Sequence, residues 1–174
     1  GIEFQVRHLD NGKVLGADET GALYVKGYTV MTGYWGKPEA TAEVLDSDGW
    51  LNTGDVALIR SDGHVVFVGR HKDMLKVGGE NVSPAEVEGY LLEVDGVEEI
   101  AVVGYPDERL VEVPVAFVVS STDLLAEDLI ERCRGKIASF KIPRHVVFVE
   151  EMPVTPSGKI RKIELREWAL DQIN

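Results

Sequence analysis

Cysteine is almost absent from these 174 residues: Cys133 stands alone, so no intramolecular disulfide forms and no thiolate cluster can hold a metal. Its spacing from Leu129 and Ile137 places it on the buried face of a helix rather than in a nucleophile's setting. The four histidines, His8, His64, His71 and His145, lack metal-ligand spacing. No apolar run approaches the ~18 residues that span a bilayer, and the first residues do not resemble a signal peptide. Together these absences predict a soluble, cytoplasmic protein, with peripheral membrane association and homo-oligomerisation both compatible. Gly1 stands where an initiator methionine would, as expected of a chain cut from a longer one. Basic charge is scarce as well. Lys and Arg number 18 against 30 Asp and Glu, a formal charge of -12, which is the wrong sign for a nucleic-acid surface. From Glu80 to Glu112 there are ten acidic residues and one basic residue, Arg109, which reads as a solvated face. Lys159, Arg161, Lys162 and Arg166 crowd the other end, as a second solvated face or a local anion site.

Apolar residues make up 44% and charged residues 28% of the chain, enough for both core and surface, in one domain or two small ones. The first third consists of short strand-like runs between turns. Glu3 to Leu9 precedes the tight turn Asp10-Asn11-Gly12, and Ala22 to Lys26 is a second strand. Asp46 to Gly49 turns ahead of Trp50, and Val56 to Ile59 and His64 to Val68 flank a reversal at Asp62-Gly63. This pattern predicts a small antiparallel sheet or barrel. Gly69 to Ser83 breaks the periodicity with polar residues and glycines and reads as a junction. Ser83-Pro84-Ala85-Glu86 then starts a helix, with serine to cap, proline at the first position and glutamate for a capping box. Its stripe of Val87, Tyr90, Leu91 and Val94 leads to an end near Gly96. A strand from Val97 to Gly104, a Tyr105-Pro106-Asp107 bend, and a strand from Val113 to Val119 follow. Pro114 assigns that last strand to a sheet edge or a strand start. Leu125, Leu129, Cys133 and Ile137 mark a second helix, His145 to Val149 a third strand, and Ile163 to Gln172 a final helix packing through Leu165, Trp168 and Ala169. Alternating strands and helices predict an α+β or open α/β sandwich for the second unit.

Three clusters hold groups suited to chemistry. Asp55 follows Thr53-Gly54, and a carboxylate accepts hydrogen bonds from both hydroxyls of a ribose where glycine lets the backbone approach. An ordinary turn cap is the commoner source of such a tripeptide. Arg70 could join it on sugar or phosphate. Between Arg70 and Val82, Lys72, Lys76 and the pair Gly78-Gly79 suit a narrow acyl or pantetheine channel with a cation nearby, or simply a polar loop between domains. Pro153 to Lys159 is a turn shaped by prolines and Gly158 that delivers Lys159 as a point charge to phosphate or carboxylate oxygens. It lacks the spacing of the usual triphosphate loop.

Read in order, Gly33-Tyr34-Trp35, Thr53-Gly54-Asp55, Gly69 to Asp73, Gly78 to Glu88 and Pro153 to Lys159 resemble the signature blocks of the adenylate-forming (AMP-binding) superfamily, specifically its acyl-CoA synthetases. The resemblance covers essentially the whole chain. It implies an α+β chain: residues 1–69 as the end of the large domain's antiparallel β subdomain, 70–73 as a hinge pivoting at Lys72, and 74–174 as the mobile C-terminal α/β domain. It also implies a two-step reaction. A carboxylic or fatty acid and ATP give acyl-adenylate and pyrophosphate, and the CoA thiol then displaces AMP to give a thioester. Asp55 and Arg70 would bind the nucleotide, Lys159 would act in adenylation, and Lys76, Gly78 and Gly79 would face the adenylate in the thioester-forming pose.

By the same resemblance the phosphate loop, the acyl pocket and the ligands of Mg2+ belong to a large N-terminal part missing from these residues, so the isolated fragment is expected to be inactive. One departure stands out: Val111-Glu112 occupies the place of a frequent Gly-Glu pair, which predicts a stiffer or differently turned loop. The alternatives are a carrier-protein-loading adenylation domain and, were the chain naturally this short, a non-catalytic regulatory or binding module.

Overall fold

Short strands separated by turn residues build the first of two compact units, Gly1–Lys72, while longer strands and helices build the second, Asp73–Asn174. The computed structural model describes residues 1–173. No helix among them is long and apolar enough to cross a membrane.

In the first unit, strands β1 (Ile2–Arg7), β2 (Gly21–Gly27), β3 (Leu51–Ile59) and β4 (Val65–Arg70) form an antiparallel sheet in chain order, an open sheet rather than a barrel. Its inward side chains are Val6, Ala22, Val56 and Ala57. The turn at Asp46 is knit by charge. Its carboxylate accepts the Trp50 and Asp48 N–H groups at 2.8 and 3.0 Å and an Arg7 Nη at 3.0 Å. Burial alone pushes Asp46 upward, but the Trp50 N–H, Arg7 and the Asp48 N–H outweigh it and hold the carboxyl below its ordinary value. A short helix, α1 (Pro38–Val44), was not expected. Proline at its first turn followed by Glu39 is an N-terminal helix signature, masked by the glycines around it.

The division between the units, after Lys72, falls within the stretch from Gly69 to Ser83, and the second unit starts there with a hairpin. Strands β5 (Leu75–Val77) and β6 (Glu80–Val82) pair in register around Gly78-Gly79. Both glycines have positive φ, 59° and 92°, the geometry of the two-residue hairpin turn that β-carbons oppose. Leu75, Val77 and Val82 are buried, so three apolar residues at alternate positions carry the strands. Helix α2 (Pro84–Leu92) follows with Pro84 at its first turn. It ends before Gly96, and Glu86 holds the Lys141 ammonium at 2.7 and 2.8 Å. Strand β7 (Val97–Asp107) runs straight through the expected Tyr105-Pro106-Asp107 bend and pairs along its length with β8 (Val111–Ser120). β7 is the edge of its sheet, where a proline is tolerated.

β8 is central, contrary to the reading from Pro114. It borders β7 on one side, and on the other it meets β5 at Val111 and, in parallel, β9 (His145–Phe148) from Val115 onward. Pro114 falls in the gap between those two partners, and its carbonyl accepts the Arg144 N–H at 2.8 Å. Both faces of the sheet are covered. Ile100, Val102, Ala116 and Val118 meet α2 and helix α3 (Ala126–Cys133), where Cys133 is buried beside Leu129. Ala101, Val103, Val115 and Phe117 meet helix α4 (Lys162–Gln172) through Leu165 and Ala169. Trp168 stands edge-on to Phe117 with centroids 6.3 Å apart. A sheet buried on both sides explains the nearly unbroken apolar runs of β7 and β8.

The loop before Val111 closes with glycine-like geometry although no glycine is there. Val111 has φ 72°, a region that side chains branched at Cβ rarely enter. The Asp107 carboxylate fixes the turn by accepting the Leu110 and Arg109 N–H groups at 2.8 and 2.9 Å. Those two bonds hold it below the ordinary carboxylate range. Val111 therefore leaves this loop turned in the left-handed region, under strain.

Candidate functional site

Two irregularities in the first unit bring Asp55 and Arg70 opposite each other. Between β2 and β3 the register passes from Ala22↔Val56 to Tyr24↔Asn52, so Thr53, Gly54 and Asp55 together oppose Leu23 in a bulge. Between β3 and β4 it shifts again, after Val56↔Gly69. Bulges re-aim side chains and concentrate beside functional sites. Gly54 supplies φ 74°, which only glycine adopts without cost. The bulge is bonded internally: Thr53 Oγ1 donates to the Leu23 carbonyl at 3.0 Å and accepts the Asp55 N–H at 3.1 Å, and the Gly54 N–H donates to Asn52 Oδ1 at 3.0 Å. The tripeptide thus sits inside a strand rather than at a turn cap.

Arg70 Nε lies 2.8 Å from Asp55 Oδ1. The approach is that of an ion pair without hydrogen-bond direction, so the shielded Oδ1 accepts no hydrogen bond. That oxygen is closed to solvent, while the Asp55 side chain as a whole is 23% and the guanidinium 54% exposed. A carboxylate so placed suits a diol and the neighbouring guanidinium an anion. Lys72 is exposed, in the single 3-10 turn His71–Asp73 that follows β4. In Gly33-Tyr34-Trp35 the Tyr34 N–H donates to Thr41 Oγ1 at 2.9 Å, and Trp35 is fully exposed.

In the second unit Lys76 and Lys159 lie at different ends of the sheet. Lys76 is on β5, and its N–H donates to Glu112 Oε2 at 2.9 Å. The Gly78 N–H donates to the Leu110 carbonyl at 2.7 Å. The β5–β6 hairpin and the strained turn at Val111 therefore brace each other, with Gly78 and Gly79 at the exposed tip. Lys159 belongs to a loop that closes on itself. The Thr155 N–H donates to the Lys159 carbonyl at 2.8 Å, the Lys159 N–H donates to Thr155 Oγ1 at 3.1 Å, and Val154 bridges Ile160. This loop faces Ile100 and Glu98 at the start of β7 across a shared groove, whereas the hairpin meets Val111, opposite Asp107 at its end. Both lysine ammonium groups are exposed and, among the described residues, neither has an ion-pair partner. One unit thus offers two separate cationic tips.

The sequence reading passed over a third feature. Glu88 Oε1 accepts the Val102 N–H at 2.7 Å and Lys162 Nζ at 2.6 Å, joining α2, β7 and α4 at one oxygen. In the sequence it stood only as the last residue of the Gly78-to-Glu88 block and as an acid flanking the buried stripe of Val87 and Leu91, with no role assigned to it. Among the described residues, no three His, Cys, Asp or Glu are grouped to hold a metal.

Residues 86–159 match the family described as AMP-binding enzyme C-terminal domain. Over 167 residues the chain is 46% identical to the mitochondrial medium-chain acyl-CoA ligase ACSF2 of Mus musculus, covering 95% of this chain and 27% of that protein. It is 46% identical over 158 residues to a feruloyl-CoA synthase of an Amycolatopsis species, covering 90% and 32%. The crystal structure of ATP-bound MatB from Rhodopseudomonas palustris matches at a TM-score of 0.92 and 35% identity, over all of this chain and 35% of MatB. The chain spans less than a third of the length of these two curated relatives.

Proposed function

Because the chain is homologous to the C-terminal region of the AMP-binding, adenylate-forming superfamily, we propose that it is the C-terminal part of an ATP-dependent acyl-CoA ligase. The carrying observation is Lys159, an unpaired, exposed ammonium at the tip of a loop that its own hydrogen bonds hold closed. A cation presented in this way on a preformed loop offsets the charge that develops as carboxylate attacks the α-phosphate, at little cost in reorganisation. Asp55 and Arg70 fit the nucleotide as well: a partly exposed carboxylate paired with a half-exposed guanidinium suits the hydroxyls of a ribose. The group they hold is ATP in the first step and the acyl-adenylate in the second. In the thioester-forming step, the exposed hairpin tip at Gly78-Gly79, with Lys76 next to it, lies along the pantetheine arm of CoA, and Lys72 is the pivot between the two steps. Mg2+ takes its ligands from residues outside this chain. The carboxylic acid is read outside it too, since relatives of similar identity are named for medium-chain acyl and for feruloyl substrates.

The test is Lys159→Ala in the complete enzyme, with two half-reactions measured apart: carboxylate-dependent ATP–pyrophosphate exchange and thioester formation from preformed acyl-adenylate. Exchange is expected to fall about a hundredfold, on the order of 3 kcal/mol, with transfer to CoA largely retained. A loss under ~0.5 kcal/mol, the ordinary cost of a surface lysine, refutes the role of Lys159. Transfer only to a phosphopantetheinylated carrier protein replaces CoA as acceptor and leaves adenylation standing.

A further inference from the structure

We propose that Glu88 is a positioning residue for Lys159, acting through Lys162; this rests on the ligase reading above. The loop from Pro153 to Ile160 is bonded to itself, with the Arg161 N–H donating to the Pro153 carbonyl at 2.7 Å and the Gly158 N–H to the Thr155 carbonyl at 2.8 Å. Such a loop moves as one body, and its place is set at its stem. Ile160 packs on the apolar cluster around Phe117, which fixes depth but not direction, because apolar contact is non-directional. Direction comes from the residue that starts α4. Lys162 Nζ donates to Glu88 Oε1, and the two side chains are only 22% and 20% exposed.

That oxygen is itself fixed, because the Val102 N–H of β7 donates to it. The chain of contacts runs from the sheet backbone to Glu88, to Lys162 and, three residues back along the chain, to Lys159. A groove of about 460 Å³ lined by Glu88, Leu92, Ile100, Val154, Gly158 and Ile160 separates the loop from α2 and β7. Apolar packing alone leaves the loop that space to shift into. Displacements near 1 Å of a positioned group cost up to about a hundredfold in rate, so a charged hydrogen bond at the stem bears directly on the tip.

The experiment uses the complete enzyme and both half-reactions. Glu88→Gln keeps an acceptor for the Val102 N–H and removes the charge opposite Lys162. ATP–pyrophosphate exchange is expected to fall about tenfold in kcat, the worth of one charge-assisted hydrogen bond, with KM for ATP within about twofold of wild type and thioester formation from preformed adenylate unchanged. Lys162→Met is expected to reproduce that selective loss and Lys162→Arg to recover most of the rate, which guards against a folding defect in any one variant. Exchange at the wild-type rate in Glu88→Gln, while Lys159→Ala is impaired, overturns the inference and leaves the ligase reading intact. Equal losses in both half-reactions overturn it as well, because they mark general structural damage. A wild-type rate in Lys159→Ala overturns the ligase role of Lys159 and the inference with it.

Discussion

Replacing Val111 with glycine is expected to stabilise the second unit, although valine to glycine in a strand ordinarily destabilises. Val111 holds φ 72° at the start of β8, where a side chain costs ~1 to 2 kcal/mol and a branched one lies toward the upper end. Glycine removes that term. Against it stand ~0.7 kcal/mol of added freedom in the unfolded chain and a burial loss of roughly 0.5 kcal/mol, a fraction of the ~1.5 kcal/mol of a fully buried valine, because Val111 is 66% exposed. The balance is a gain of about 0.5 kcal/mol. Val154, 51% exposed and without positive φ, is the matched control, and Val154→Gly lacks the relief and should cost about 1 kcal/mol. Hydrogen exchange at the Ala116 and Val102 amides, in the regime where it reports free energy, measures both in the same sheet. A loss above ~1 kcal/mol in Val111→Gly, equal to that of the control, would refute the strain at Val111.

Two further perturbations test the second unit. His145 sits edge-on to Tyr105 at 6.1 Å, and burial first, then the neighbouring Arg144, hold its pKa below the ordinary value. The unfolded chain therefore takes up this proton first as pH falls below about 6.5. The protein loses stability from there down to the depressed folded value, and His145→Gln should flatten urea midpoints across that window; parallel pH curves would rule this out. Leu91 is fully buried whereas its neighbour Leu92 is half exposed. Leu91→Ala should cost ~2 to 5 kcal/mol and Leu92→Ala under ~1 kcal/mol in urea unfolding, and equal costs would contradict the placement of α2.

What the sequence made legible was what local chemistry decides. The strands at Ala22 and Val97, the Asp62-Gly63 reversal, the Pro84 helix start and the burial of Cys133 all follow from periodicity and turn residues. Misreadings came where the deciding partner was distant in the chain. Pro114 looked like an edge residue because a gap between β5 and β9 is invisible from β8 alone. The stretch from Gly69 to Ser83 does hold the division between the two units, after Lys72, but its β5–β6 hairpin stayed hidden because three-residue strands are too short to show alternation. Pro106 looked like a bend, yet β8 straightens it by pairing across ten residues. Among the candidate groups, Asp55 and Arg70 stood out by type, but that they face each other depends on two register shifts no residue announces. Glu88 was hidden for the same reason: its partners, Val102 and Lys162, lie 14 and 74 residues away.

The free edge of β7 bears on how this unit behaves at high concentration. An exposed strand of apolar residues is a template on which a second copy can add. Here a register shift between Val97 and Glu99 interrupts the ladder at one end, Pro106 lacks a donor near the other, and Glu98 and Glu99 place like charges where two copies would meet. In the middle, Glu88 already occupies the Val102 N–H. Strand-to-strand assembly through β7 is therefore opposed at both ends and at Val102. The same carboxylate that ties α4 to the sheet helps keep neighbouring molecules apart, and a variant lacking any acceptor at Glu88 would leave the Val102 N–H open to self-association.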